Sequence, residues 1–87
     1  MSPSEFLQFL VAGLVQHKDS IEIIESQDEL GTLLLLCVDP SDMGLLIGRG
    51  GKTIDSIRTV LKVFGVKMGI RITLRIMEDT GEPIIPV

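Results

Sequence analysis

The sequence predicts an α+β domain with the element order α-β-β-α-α-β, in which a three-stranded mixed sheet is backed on one face by three helices. Three observations carry this. A capped amphipathic segment opens the chain, two apolar runs joined by turn formers follow it, and a Gly-rich break separates two helical stretches before a strictly alternating run. At 87 residues the chain has room for one domain and one modest core.

Each element has a local cause. Ser2-Pro3-Ser4-Glu5 reads as a helix start, with Ser2 as cap, Pro3 at the first position and Glu5 closing a capping box. The helix is predicted to run to about His17, with Leu7, Leu10, Val11, Leu14 and Val15 on its apolar face. Phe6 and Phe9 widen that face, either as further burial or as a dimer contact. Residues 20–25 read as a strand, residues 26–31 as a turn, and residues 32–38, "TLLLLCV", as a central strand apolar on both faces. Asp39-Pro40 starts a short second helix, which Gly48 to Gly51 must break. The third helix is predicted over about 52–66, with Ile54, Ile57, Leu61 and Phe64 at helical spacing. In residues 70–77, Ile70, Ile72, Leu74 and Ile76 alternate with Arg71, Thr73 and Arg75, as in a half-exposed strand. The helical crossover lets this strand lie parallel beside the central one. The domain is set at residues 1–77. Residues 78–87 are read as an acidic, proline-containing tail, extended or mobile.

Composition excludes several functions. The single cysteine, Cys37, and the single histidine, His17, leave no ligand set for a metal and no nucleophile–base pair. No enzyme, cofactor, metal or small-molecule substrate is expected. Cys37 reads as a buried apolar residue and His17 as lying near the end of the first helix. The longest apolar run, residues 33–38, is too short to span a bilayer, and no secretory signal is visible, so a cytoplasmic protein is expected without membrane insertion. The aromatic residues are three Phe, with no Trp or Tyr. Base stacking on exposed rings is therefore not expected.

Net charge is −4, but the charges are segregated. Residues 1–48 hold one basic residue, Lys18, against eight acidic ones. Residues 49–76 hold Arg49, Lys52, Arg58, Lys62, Lys67, Arg71 and Arg75 against Asp55 alone. A polyanion responds to such a local field more than to net charge.

The basic stretch begins at "GLLIGRGGKTI", which ends like a nucleotide phosphate loop. That motif requires Gly five residues before Gly51, where Leu46 stands. A dinucleotide fingerprint from Gly48 requires Gly where Thr53 stands. What remains is Ile47-Gly48-Arg49-Gly50-Gly51, an I-G-x-x-G between two helices. By spacing alone it reads equally as a tight turn or as a nucleic-acid loop. The longer run resembles the KH domain, and more narrowly the small stand-alone bacterial KhpA (YlqC) family. The family's "DMG-x-[VL]-IG-[RK]-x-G-[RK]-x-x-x-[AS]-IRT" is matched by Asp42, Met43, Gly44, Ile47, Gly48, Arg49, Gly51, Lys52, Ile57, Arg58 and Thr59. Gly50 departs from it, standing where relatives often carry a polar side chain, and the acidic tail has no counterpart in the pattern.

The resemblance covers about residues 4–77 and implies a type II-like KH domain. It implies a non-enzymatic protein that binds single-stranded RNA and acts as an RNA chaperone or post-transcriptional regulator linked to cell division and envelope synthesis. It also implies a homodimer, or a heterodimer with a Jag-type KH protein. The expected RNA-binding residues are Ile47, Gly48, Arg49, Gly50, Gly51, Lys52, Ile54, Arg58 and Lys62. Glycines let a sugar-phosphate chain approach closely, the next helix offers unpaired amides, and Ile47 and Ile54 would floor a groove edged by the third strand or its neighbour. The alternative is a KH-fold module whose main task is dimerisation or protein docking, with RNA binding secondary.

Overall fold

The computed structural model describes residues 1–77 and the backbone of Pro83–Ile84. Helix α1 spans Pro3–Ala12, strand β1 Glu22–Asp28, strand β2 Gly31–Cys37, helix α2 Met43–Ile47, helix α3 Lys52–Met68 and strand β3 Ile72–Met77. A two-residue strand, β4, follows at Pro83–Ile84. The sheet order is β1-β2-β3-β4. β1 and β2 are antiparallel, β2 and β3 are parallel, and Ile76 and Met77 pair antiparallel with Ile84 and Pro83. The predicted element order and the mixed sheet of β1, β2 and β3 are as expected, with β4 added at the outer edge of β3. The rest of the tail, on which the sequence also raised an expectation, lies outside the described residues.

The start of α1 follows its sequence. Glu5 N–H donates to Ser2 Oγ at 3.2 Å and Ser2 N–H donates to Glu5 Oε1 at 2.9 Å, a reciprocal cap worth about 1 kcal/mol. Ser4 N–H donates to Glu25 of β1 at 3.1 Å, which ties the helix end to the sheet. The helix stops at Ala12, five residues earlier than predicted. Gly13 caps it through Leu10 and Val11 carbonyls, and the chain then turns so that Val15 still reaches the core while Leu14 is exposed. His17 is therefore beyond the helix, where it bonds to Asp42 just ahead of α2.

The core lies on one side of the sheet. Leu34 and Leu36 of β2 and Ile72, Leu74 and Ile76 of β3 pack against Leu7 and Val11 of α1 and Ile54, Ile57 and Leu61 of α3. Phe6 stacks on Phe64, ring centroids 4.7 Å apart, which pins α1 to α3. β2 is central, but its two faces differ: Leu33, Leu35 and Cys37 face away from the helices and are half-buried. Cys37 is thus not in the core.

β1 runs three residues further than predicted. Ser26, Gln27 and Asp28 pair with Leu33, Thr32 and Gly31, which leaves only Glu29-Leu30 as the turn. Polar turn formers were absorbed because the partner strand offers a ladder to their backbone groups. At the other end of the sheet, β3 begins two residues later than predicted. Ile70 is exposed and does not face inward; its N–H donates to Gly65 O at 2.8 Å, inside the helix-to-strand turn.

Candidate nucleic-acid interface

The loop is set by its glycines. α2 closes with Gly48 N–H donating to Gly44 O at 2.9 Å. Gly48 then takes φ 75° and ψ 179°, a region open essentially to glycine alone. A Cβ there would run into Thr53 Oγ1 and lie 2.9 Å from Thr53 N. The chain continues through one tight turn, Arg49–Gly51, with Gly50 at φ 62° and Gly51 at φ 79°. α3 starts at Lys52. No side chain caps its first amides. Lys52 N–H donates to Arg49 O and Gly51 N–H to Gly48 O at 3.3 Å, which leaves the Arg49 and Gly50 amides as the loop's open donors at the positive end of a 17-residue helix. Arg49 and Lys52 are both exposed beside them.

Ile47 is half-buried and packs on the core edge next to the loop. Ile54 corrects the expectation of a groove floor. It is 0% exposed and supports the loop from beneath, with no surface for a ligand.

A groove lies between α3 and β3, beginning at Arg58, six residues past the start of α3. Arg58, Leu61 and Lys62 line one wall, and Ile72, Thr73 and Leu74 the other, around a cavity of about 140 Å³. β3 edges this groove through Ile72, Thr73 and Leu74, which were not foreseen as lining residues, while Ile47 and Ile54, the expected floor, do not line it. The signal was present in the parallel crossover, which had to bring β3 alongside α3. β4 covers the outer edge of β3 only at Ile76 and Met77, so the edge from Ile72 to Arg75 has no strand partner among the described residues. Arg58 spans the groove: Nη2 donates to Leu74 O at 3.2 Å and Nη1 lies 3.6 Å from Asp55 Oδ1. Lys62 is exposed on the same helix face, one turn further on.

The loop helices are anchored by Asp42, a fully buried carboxylate just before α2. It accepts Gln16 N–H at 3.2 Å, His17 N–H at 2.9 Å and the His17 ring Nδ1–H at 3.0 Å. Burial pushes its pKa up, but the hydrogen bonds from His17 N–H, Gln16 N–H and the His17 ring outweigh that and hold it below the usual carboxylate range. Sequence reasoning placed Asp42 in the family motif but not in this contact, because its partners lie 25 and 26 residues away.

The description "KhpA/KhpB, KH domain" fits residues 4–76 of the chain. The chain belongs to the KhpA/KhpB KH-domain family. The matched span runs from α1 through the loop to Ile76 of β3, so it takes in both walls of the groove. Relatives named "RNA-binding protein KhpA" include one from Aquifex aeolicus, 32% identical over 85% of this chain and 94% of its own length. Another, from Chlamydia pneumoniae, is 35% identical over 86% of this chain and 96% of its own. A third, from Streptomyces coelicolor, is 36% identical over 80% and 87%. No solved structure matches the chain. No helix of the described residues is long and apolar enough to cross a membrane.

Proposed function

We propose that this chain is a non-enzymatic protein that binds single-stranded RNA by its sugar-phosphate backbone. One observation carries the reading: a single helix, α3, has the exposed Arg49 and Lys52 at its uncapped start and bears, from Arg58 on, one wall of a groove whose far wall is a β3 edge with no strand partner among the described residues. Of the amides from Gly48 to Lys52, those of Arg49 and Gly50 meet phosphates, since the other three are held by backbone carbonyls, and the Arg49 and Lys52 side chains supply charge. Ile47 borders the first base, and Ile54 holds the loop from below. Arg58 and Lys62 meet the strand further along, Arg58 by exchanging its contact with Asp55 for a phosphate. The free backbone of β3 and the Thr73 hydroxyl give modest base preference. Relatives named as RNA-binding proteins support the reading.

Such a loop clamps four nucleotides. A footprint this small gives an affinity on the order of micromolar. The domain is residues 1–77, with 78–87 as an appended acidic segment. Family resemblance extends the role to an RNA chaperone or post-transcriptional regulator in the cytoplasm, serving cell division and envelope synthesis.

A second reading rests on apolar exposure. Phe9 is 70% and Val63 65% exposed, on helices joined by the Phe6–Phe64 stack. These two residues mark a surface for a second copy or a Jag-type KH partner, and this surface and RNA binding coexist. The experiment is crosslinking of the chain to RNA in cells, comparing wild type with Arg49→Asp/Gly50→Asp, and sedimentation of both with Phe9→Asp/Val63→Asp. The loop change is expected to abolish crosslinking and leave the oligomeric state alone; the apolar change, the reverse. Undiminished crosslinking of the loop variant would rule out the loop as the RNA site.

A further inference from the structure

The groove does not end at Lys62. It widens into a depression of about 600 Å³ between the C-terminal half of α3 and the start of β3, lined by Lys62, Val66, Ile70, Arg71, Ile72 and Thr73. Lys62, Ile72 and Thr73 line both parts, so the two form one trough. Val66 is eight residues beyond Arg58, about 12 Å along the helix. It is a separate seat, not the rim of the first.

The depression has a floor and a charged rim. Val66 is 82% exposed, and Ile70 is exposed beside it. They form an open apolar pair on the same depression as the cations Lys62 and Arg71. None of the six lining residues is acidic, and two are cations. The exposed Arg71 makes no ion pair among the described residues. Its backbone is held firmly: Arg71 O accepts Thr32 N–H at 2.7 Å, and the preceding Ile70 N–H donates to Gly65 O at 2.8 Å. Gly65 makes this approach possible, since a Cβ there would lie 2.6 Å from Ile70 O. Open apolar side chains beside two exposed cations suit a nucleotide, with its base against Val66 and Ile70 and its phosphate at Arg71 or Lys62.

We infer that this depression is a second nucleotide subsite, in which a base rests on Val66 and Ile70 while Arg71 and Lys62 take phosphates. The RNA track then runs the length of α3 and holds about two or three nucleotides more than the four-nucleotide clamp of the loop. The inference rests on the proposed RNA-binding reading.

The test uses oligouridylates of four and seven nucleotides with the full chain, read by methyl and amide NMR shifts and by fluorescence anisotropy. The seven-mer is expected to move the Val66 and Ile70 methyl signals, and the four-mer only the amides from Gly48 to Thr53. Arg71→Ala is expected to weaken the seven-mer about fivefold, the worth of one charge-assisted contact, while leaving the four-mer within about twofold. If the loop amides shift but the Val66 and Ile70 methyls stay still with the seven-mer, the subsite is wrong and the loop reading stands. Equal weakening of both lengths by Arg71→Ala also overturns the subsite, since Arg71 would then act only through the general field. If no loop amide shifts with either probe, the RNA reading itself fails.

Discussion

Gly48 shows how one position joins fold to function. Its φ of 75° with ψ of 179° lies where a side chain is strained, and Thr53 fills the space that a side chain would need. Gly50, two residues on, has φ 62° and ψ 22°, the left-handed region that Asn and Asp also visit, with open space around it. The two glycines look alike in the sequence and differ in what they bear. Gly48→Ala is expected to destabilise the domain by about 1–3 kcal/mol and to weaken RNA binding by disturbing the amides behind it. Gly50→Asn is expected to cost under about 1 kcal/mol. Urea unfolding of both variants checks this; equal costs would mean that the Thr53 contact does not set the loop. The motif told that glycine belongs at position 48, but the reason sits in Thr53, whose side chain folds back onto it.

Among the elements, the exit of α1 is where sequence reasoning went furthest astray. The apolar periodicity continues through Leu14 and Val15, so nothing local ends the helix except Gly13. The decisive contact is long-range: Gln16 and His17 give their amides to Asp42, which satisfies backbone groups that a longer helix would otherwise have used. β1 and β3 show the same limit, since their ends were fixed by register with β2. The capping box and the apolar face of α3 were legible because their causes lie within four residues, whereas Asp39-Pro40, read as the start of the second helix, caps only a single 3-10 turn, Pro40–Asp42, and α2 begins at Met43. Asp42 makes the long-range tie pH-sensitive. A carboxylate whose folded pKa is lowered stabilises the fold fully above its unfolded value, near 3.8, and loses that contribution as pH falls through the folded value. Glu5 and Asp39 are also lowered, by hydrogen bonds from Ser2 and from Ser41 respectively, and act in the same window. Asp42→Asn is therefore expected to lower Tm near neutrality and to flatten, without abolishing, the fall of Tm below about pH 4. Thermal melts from neutral to strongly acidic pH decide it; an acid limb as steep in the variant as in wild type would show that Asp42 is not a source of the dependence.

For the whole molecule, fold and charge divide the chain in the same place. The acidic first 48 residues supply α1, the β1–β2 hairpin and α2, while the basic residues from 49 to 76 supply the loop, α3 and β3, the two walls of the groove. The fold class was legible because the apolar periods switch cleanly between helix and strand. The groove was legible only in outline, because its second wall depends on which edge of β3 stays open. A protein of net charge −4 that binds RNA must do so through this local field, and counterion release measures how many phosphates it meets. With three or four contacts on a four-nucleotide probe, the slope of log K against log salt is expected to be about −2 to −3, at about −0.7 per contact on a single strand. Arg49→Ala/Lys52→Ala removes two of those contacts and is expected to reduce the slope by about 1.4. Adding the outer cation through a seven-nucleotide probe is expected to steepen it again by about 0.7. Anisotropy titrations from about 50 to 400 mM salt read all three values. A slope unmoved by the double change would place the phosphates away from Arg49 and Lys52, and leave the acidic half of the molecule as the part whose partner is still to be found.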